Sequence, residues 1–234
     1  MDKPIVVITG GSSGYGRAMA ELFSQAGNRV LITARGQECL EAAGREIGCA
    51  TFPMDVTSPA DWDSLLSAVE ERYGRIDILI NNAGGGIAIK EVTDLSVDEV
   101  DRTIALNLHS AIYGARTFAP LMKKQRSGTI VNFASVCAKE AWPAWTVYAA
   151  AKWGVLGFSK GLYTELQPYG VRVTCVIPAA ARTGFQQSAG IGEIQAALRA
   201  EDVARAVFDL CNLPRHVVVE EVTIWGIDQV VVPL

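Results

Sequence analysis

The feature that most narrows the possible folds of this chain is an alternation. Short runs rich in Val and Ile, at 5–9, 29–33, 50–53, 76–81, 129–134, 171–177 and 217–225, are separated by longer stretches whose apolar residues recur at helical spacing. The runs are nearly continuously apolar, as strands covered on both faces are. Strands that alternate with helices pair in parallel, with crossovers that lay helices on both faces. The predicted fold is therefore α/β, a doubly wound parallel sheet of seven strands. The intervening stretches carry helix signals of their own. Ser58-Pro59-Ala60-Asp61 offers an N-cap, a proline at the first helical position and an acid behind it, and Trp62, Leu65, Leu66, Val69 and Tyr73 follow at helical spacing. Ser96-Val97-Asp98-Glu99 is a capping box that opens a helix expected over Val97–Lys123.

A length of 234 residues fits one domain over 1–234, with a short substrate-loop segment expected at Gly184–Arg199. Half the residues are hydrophobic and a fifth are charged, which excludes a disordered chain. The net charge of -4 leaves no basic surplus for a phosphate backbone, so no nucleic-acid partner is expected. No stretch without formal charge is longer than that between Arg102 and Arg116, which is shorter than the ~18 apolar residues that a membrane span needs. Met1-Asp2-Lys3-Pro4 leads straight into the first apolar run, without the long apolar core of a signal peptide. The five cysteines are odd in number and form no C-x-x-C, and they are joined by only two histidines. Neither a disulfide framework nor a metal site is expected, and a reducing cytoplasm is.

Ligands of such sheets bind at the carboxyl ends of the strands, which is where the chemistry is to be sought. The first strand runs into Thr9-Gly10-Gly11-Ser12-Ser13-Gly14-Tyr15-Gly16, and Arg17–Ala26 follows as a helix. Glycines there let a tight turn carry backbone N–H groups up to a pyrophosphate at the helix N-terminus. The spacing is G-x-x-x-G-x-G rather than the more common G-x-G-x-x-G. Tyr148 and Lys152 stand four apart in a predicted helix, Ala149–Leu166, and so share one face. An ammonium beside a phenol favours the phenolate and lowers a pKa that is otherwise near 10. The pair thus suits general acid–base work on a carbonyl or alcohol. Ser135 directly follows the run 129–134, where its hydroxyl could hold a carbonyl; read alone, it fits better a loop serine bonded to its own backbone. Asn107 falls inside the apolar stripe of Val97, Val100, Ile104, Leu108 and Ala111. A buried amide must be hydrogen-bonded to backbone, water or another side chain, and read alone Asn107 is a satisfied core residue.

Taken together, these residues resemble the short-chain dehydrogenase/reductase family, from about Pro4 to the C-terminus. The family's T-G-x-x-x-G-x-G loop corresponds to Thr9, Gly10, Gly14 and Gly16. Its N-N-A-G segment is Asn81-Asn82-Ala83-Gly84, and its Asn–Ser–Tyr–Lys tetrad is Asn107, Ser135, Tyr148 and Lys152. The resemblance implies a Rossmann sheet and an NADP(H)-dependent oxidoreductase that moves a hydride between the nicotinamide and a ketone, aldehyde or secondary alcohol. Tyr148 would carry the proton at the substrate oxygen, and Ser135 would position the carbonyl. Lys152 would lower the tyrosine's pKa and bond the nicotinamide ribose, while Asn107 would hold a water linking Lys152 to solvent. Cofactor contacts would come from Gly10, Ser12, Ser13, Gly14, Tyr15, Gly16, Asn82, Ala83, Gly84, Tyr148, Lys152, Pro178 and Thr183. Asp55, with Val56 beside it, would meet the adenine. Where the family has P-G-x-x-x-T after the sixth strand, this chain has Pro178-Ala179-Ala180-Ala181-Arg182-Thr183, so that a Cβ stands where backbone normally approaches the nicotinamide.

At the end of the second strand the acid that binds a ribose 2′-OH is replaced by Ala34, followed by Arg35. A guanidinium can bond a 2′-phosphate bidentately, so NADP(H) is expected to be preferred, with NAD(H) possible. The second basic residue that many NADP-preferring relatives carry in the glycine loop is here Ser13. A homotetramer or homodimer is expected, built on the Tyr148–Leu166 and Val97–Lys123 helices, because the former is apolar around most of its circumference. Cys137, Ala138, Trp142, Trp145, Phe185 and Gly84-Gly85-Gly86 would line a mostly apolar substrate pocket; the tryptophans fit a subunit interface as well. A silent dinucleotide-binding sensor or scaffold is the competing function. Loss of the tetrad tyrosine or lysine would mark it, and both are present. A nucleotide-sugar epimerase is excluded by Ser13 and by the short remainder after Thr183.

Overall fold

The structure is a computed structural model that describes residues 3–181 and 198–229. Its strands are β1 (Ile5–Thr9), β2 (Arg29–Ala34), β3 (Ala50–Pro53), β4 (Ile78–Asn81), β5 (Gly128–Phe133), β6 (Val171–Pro178) and β7 (Glu221–Ile224). They form one sheet in the order β3-β2-β1-β4-β5-β6-β7, with every pair parallel. The helices are α1 (Gly14–Gln25), α2 (Gln37–Ile47), α3 (Pro59–Tyr73), α4 (Val97–Ile104), α5 (Ser110–Gln125), α6 (Thr146–Leu166) and α7 (Ala200–Cys211).

Alternation along each strand divides the core into two layers. Val6 and Ile8 of β1 pack with Met19, Phe23, Val203 and Val207 under α1 and α7. Val7 between them packs with Trp62, Leu65, Phe118, Met122 and Leu162 under α3, α5 and α6. All five residues of β1 are buried, which is why the strand reads as an unbroken apolar run. The helix starts follow the sequence signals: Ser58 caps α3 by accepting from Asp61 N–H, and Ser96 and Glu99 close a reciprocal capping box on α4.

Element boundaries depart from expectation in several places, and three of the departures have a visible cause. β4 begins at Ile78, not Ile76, because the Gln125 side-chain amide takes both the N–H and the carbonyl of Ile76. β7 begins at Glu221, not Val217, because Val217 N–H donates to Pro214 O and its carbonyl accepts from Arg172. The helix expected over Val97–Lys123 is broken by one π-turn, Ala105–His109, with Asn107 inside it. α6 begins at Thr146, three residues before Ala149. Strand order reverses between β1 and β4, which opens a crevice at their carboxyl ends, where a ligand of a doubly wound sheet sits. Among the described residues, no helix is long and apolar enough to cross a membrane.

Candidate active site

The crevice is pinned by Thr9 and Asn82. Thr9 Oγ1 accepts from the N–H groups of Asn82 and Ala83, each at 3.0 Å, and Asn82 Nδ2 donates to Thr9 O at 2.8 Å. Two loops from different parts of the chain are thereby held edge to edge. The glycines of the first loop are needed for shape. Gly10 has φ +67°, and a Cβ on Gly16 would stand on the Gly10 carbonyl oxygen and 2.7 Å from Asn82 Nδ2. α1 starts at Gly14, so Gly14, Tyr15 and Gly16 form its first turn; Ser13 makes no side-chain cap, and that turn contains no acid. Its N–H groups are therefore open to an anion, with the positive end of the helix dipole behind them. An uncapped helix end beside a cradle that a Cβ would fill fits a dinucleotide pyrophosphate.

The adenosine side of the crevice is less enclosed. Arg35 is exposed at the end of β2 and makes no ion pair among the described residues. Asp55 is held in place rather than free: its Oδ1 accepts from both N and Oγ1 of Thr57 at 2.8 Å, and its own N–H donates to Asp61. Val56 is buried, and its carbonyl accepts from Trp62 Nε1.

All four tetrad positions come together. Lys152 Nζ is buried and donates to Phe133 O at 3.0 Å. Burial pushes its ammonium down from 10.5 to about 8, against the opposing influence of Cys175 and Cys137. Asn107 Oδ1 and Lys152 Nζ lie on the same side of Gly84, 3.0 and 3.3 Å from where a Cβ there would be, so glycine leaves room between them. The Asn107 amide is satisfied by backbone: it accepts from Gly85 N–H and donates to the carbonyls of Gly85 and Thr103. Thr103 O is the oxygen that the backbone N–H of residue 107 would use in a regular helix; the side chain takes it instead, which accompanies the π-turn. Ser135 does bond its own backbone, accepting from Cys137 N–H at 3.2 Å, and its hydroxyl is also hydrogen-bonded to Tyr148.

Spacing alone predicts that Lys152 depresses the Tyr148 phenol. In the structure the phenol is pushed up: burial dominates, Cys137 adds to it, the Ser135 hydroxyl opposes it, and Tyr15 adds the least. The physical reason is that the ammonium is committed to the Phe133 carbonyl and lies 5.6 Å from the tyrosine ring centroid. The resting phenol is therefore a protonated donor.

Ala179 does not disturb its loop. It is buried beside Ile177 and Val155, its N–H donates to Ile224 O, and its carbonyl accepts from the Tyr15 hydroxyl at 3.3 Å. That bond ties the glycine loop to Pro178 and the loop after β6; Tyr15 was named as a cofactor contact, but nothing in the sequence pointed to this bond. One further group escaped sequence reasoning, the carbonyl of Phe133 that anchors Lys152. Backbone acceptors leave no sequence signal. Ser12 lines the glycine turn half-buried, and Ala83 is half-buried behind Thr9. Thr183, Arg182, Phe185 and nearly all of the expected substrate segment, 184–197, lie outside the described residues.

The sequence matches the family model of the short chain dehydrogenases over residues 4–193. It is 33% identical over 223 residues to an uncharacterised oxidoreductase of Staphylococcus aureus, covering 94% of this chain and 96% of that one. The fold superposes on the closed form of a serine dehydrogenase complexed with NADP+ at a TM-score of 0.93 and 29% identity, covering 98% of both chains. It also superposes on a 3-ketoacyl-(acyl-carrier-protein) reductase of Brucella melitensis complexed with NADH, at 0.88 and 27%, covering 95% of this chain and 97% of that one.

Proposed function

Given that this chain belongs to the short-chain dehydrogenase family and is an oxidoreductase, we propose that it is an NADP(H)-dependent carbonyl reductase or alcohol dehydrogenase with Tyr148 as its general acid and base. The observation that carries this reading is the hydrogen bond between half-buried Ser135 and buried Tyr148, with Lys152 one helical turn after Tyr148 in α6. When bound, the nicotinamide supplies or takes up the hydride. The chain's own work is to hold the substrate oxygen and manage its proton. The Ser135 and Tyr148 hydroxyls are within hydrogen-bonding reach of each other, so one carbonyl oxygen could accept from both. The Tyr148 phenol, raised by burial, donates its proton as charge develops on that oxygen, and accepts one back in the alcohol-to-ketone direction. Lys152, pushed down to about 8, is a cation able to exchange its proton near neutral pH, and Asn107 fixes the loop that covers it.

Relatives in the comparison hold NADP+ in one case and NADH in the other; the missing acid at Ala34 and an Arg35 without an ion pair among the described residues support NADP(H) here. Five free cysteines support work in the cytoplasm, and exposed Trp153 on α6 supports a homodimer or homotetramer. Cofactor absorbance followed with a panel of ketones, aldehydes and secondary alcohols tests the reading. Tyr148→Phe is expected to lower kcat by ~100-fold or more while leaving cofactor affinity largely intact. Wild-type turnover in that variant would remove Tyr148 from the chemistry. Cofactor binding without turnover of any substrate would favour a sensor.

A further inference from the structure

We infer that the substrate carries an aromatic group next to its carbonyl, seated against Trp145, Trp142, Ile89 and Cys137. This inference rests on the carbonyl reductase reading and names its substrate class. Any substrate held by Ser135 and Tyr148 must lay one of its substituents against whatever borders those two hydroxyls. What borders them is a small separate cluster: Cys137, Tyr148 and Ala149 are buried together, and half-buried Ile89, Trp142 and Trp145 pack on them. Trp145 meets the Tyr148 ring edge-on, with centroids 5.5 Å apart. An aryl ring beside this pair gains edge-to-face contacts and a polarisable thiol, neither of which an alkyl chain exploits as well.

The backbone holds this wall in a set position. Ala144 has φ +67°, a left-handed conformation that a residue with a Cβ adopts at a cost and keeps where its surroundings fix it. The turn is closed by Trp145 N–H donating to Trp142 O at 3.2 Å, and it holds both tryptophans in the segment that leads into α6.

Charges near the wall are spoken for or of the wrong sign for an acid. Lys139 pairs with Glu221 and donates to Thr223 Oγ1 on β7, Lys90 pairs with Glu99, and the same loop contributes the acid Glu140. Among the described residues the cluster offers no free cation for a substrate carboxylate.

The test uses the whole protein, NADPH and NADH, and three probes of eight carbons: 1-phenylethanone, 2-octanone and 2-oxooctanoate. The expected kcat/KM for the aryl ketone exceeds that for the keto acid by roughly tenfold or more, a ratio within reach of an apolar pocket. Trp145→Ala is expected to lower the aryl-to-alkyl ratio several-fold, and Trp145→Phe to restore it. The keto acid turning over as well as or better than the aryl ketone overturns the inference, as does an equal loss for aryl and alkyl ketones in Trp145→Ala. The wild-type ratios decide the matter even if Trp145→Ala fails to fold. Turnover of 2-octanone or the keto acid but not of the aryl ketone sinks this inference alone, whereas no turnover of any probe with either cofactor sinks the carbonyl reductase reading beneath it.

Discussion

Asn107 and Gly85 hold one another by a reciprocal pair of hydrogen bonds: Asn107 Oδ1 accepts from Gly85 N–H at 3.0 Å, and Nδ2 donates to Gly85 O at 2.9 Å. Asn107 is almost fully buried, so this clamp closes the loop after β4 over Lys152 from the side of the broken helix. Asn107→Ala leaves both groups of Gly85 to find new partners. The expected loss of unfolding free energy is about 1–3 kcal/mol, from unpaired backbone groups. Urea unfolding measures it, and a midpoint equal to wild type would show that the clamp contributes nothing. Asn107→Asp, when its carboxyl is protonated, keeps the acceptor and one donor in place of the two N–H donors, so it should fall between the two.

Lys152 makes stability depend on pH in a specific window. Its folded pKa is depressed from 10.5 to about 8 by burial, so between those values the unfolded chain binds more protons than the folded one. Stability from this group therefore rises with pH from about 8 to 10.5, and below 8 its cost is constant. That cost is roughly 3 kcal/mol. Lys152→Met is expected to be more stable than wild type at pH 7 and inactive, with the difference narrowing towards pH 10. Thermal melts of both proteins across that range check it; a difference that stays flat or widens would contradict the assignment.

Much of this was legible in the sequence because two kinds of signal are local. Buried parallel strands read as apolar runs, and α3 and α4 announce their starts with side-chain caps. The glycine loop and the tetrad could be placed because their spacing has mechanical meaning at strand ends and along one helix face. What was not legible depends on which partner a polar group chooses. Gln125 shortens β4 from 49 residues away, and Arg172 takes the Val217 carbonyl that would have extended β7. The sign of the Tyr148 shift follows from burial, which spacing to Lys152 does not encode. The break at Asn107 lies in a stretch whose periodicity is helical on both sides, so the pattern gave no reason to divide it.

Assembly should follow the surface that the fold leaves uncovered. Leu156 and Leu162 belong to the apolar circumference of α6, but they are buried in the chain's own core. What remains is narrower: Trp153 at 53% exposure, with Gly157 open beside it and Phe158 half-buried. A large indole next to a glycine with nothing in front of it offers a second copy both a knob and a hole. A homodimer or homotetramer is the expected state by light scattering at micromolar concentration, and Trp153→Glu should shift it towards the monomer. A monomeric wild type would overturn this.

Cofactor choice turns on two adjacent residues. Ala34 ends β2 without the carboxylate that would bond a ribose 2′-OH, and Arg35 follows it, exposed and without an ion pair among the described residues. The other arginine near the glycine loop, Arg17, is already shared between Glu21 and Glu46, and Ser13 brings no charge, so a 2′-phosphate would depend on Arg35. One exposed guanidinium on a phosphate contributes a charge-assisted bond of about 1.5–3 kcal/mol, which corresponds to ~10- to 100-fold in kcat/KM. Arg35→Ala is expected to lower kcat/KM with NADPH by that factor and to leave NADH nearly unchanged. Ala34→Asp with Arg35→Ile adds repulsion of the phosphate to the loss of its partner and should invert the preference. Initial rates with both cofactors decide it: a wild type that uses NADH as well as NADPH, or better, would show that Arg35 is solvated rather than engaged.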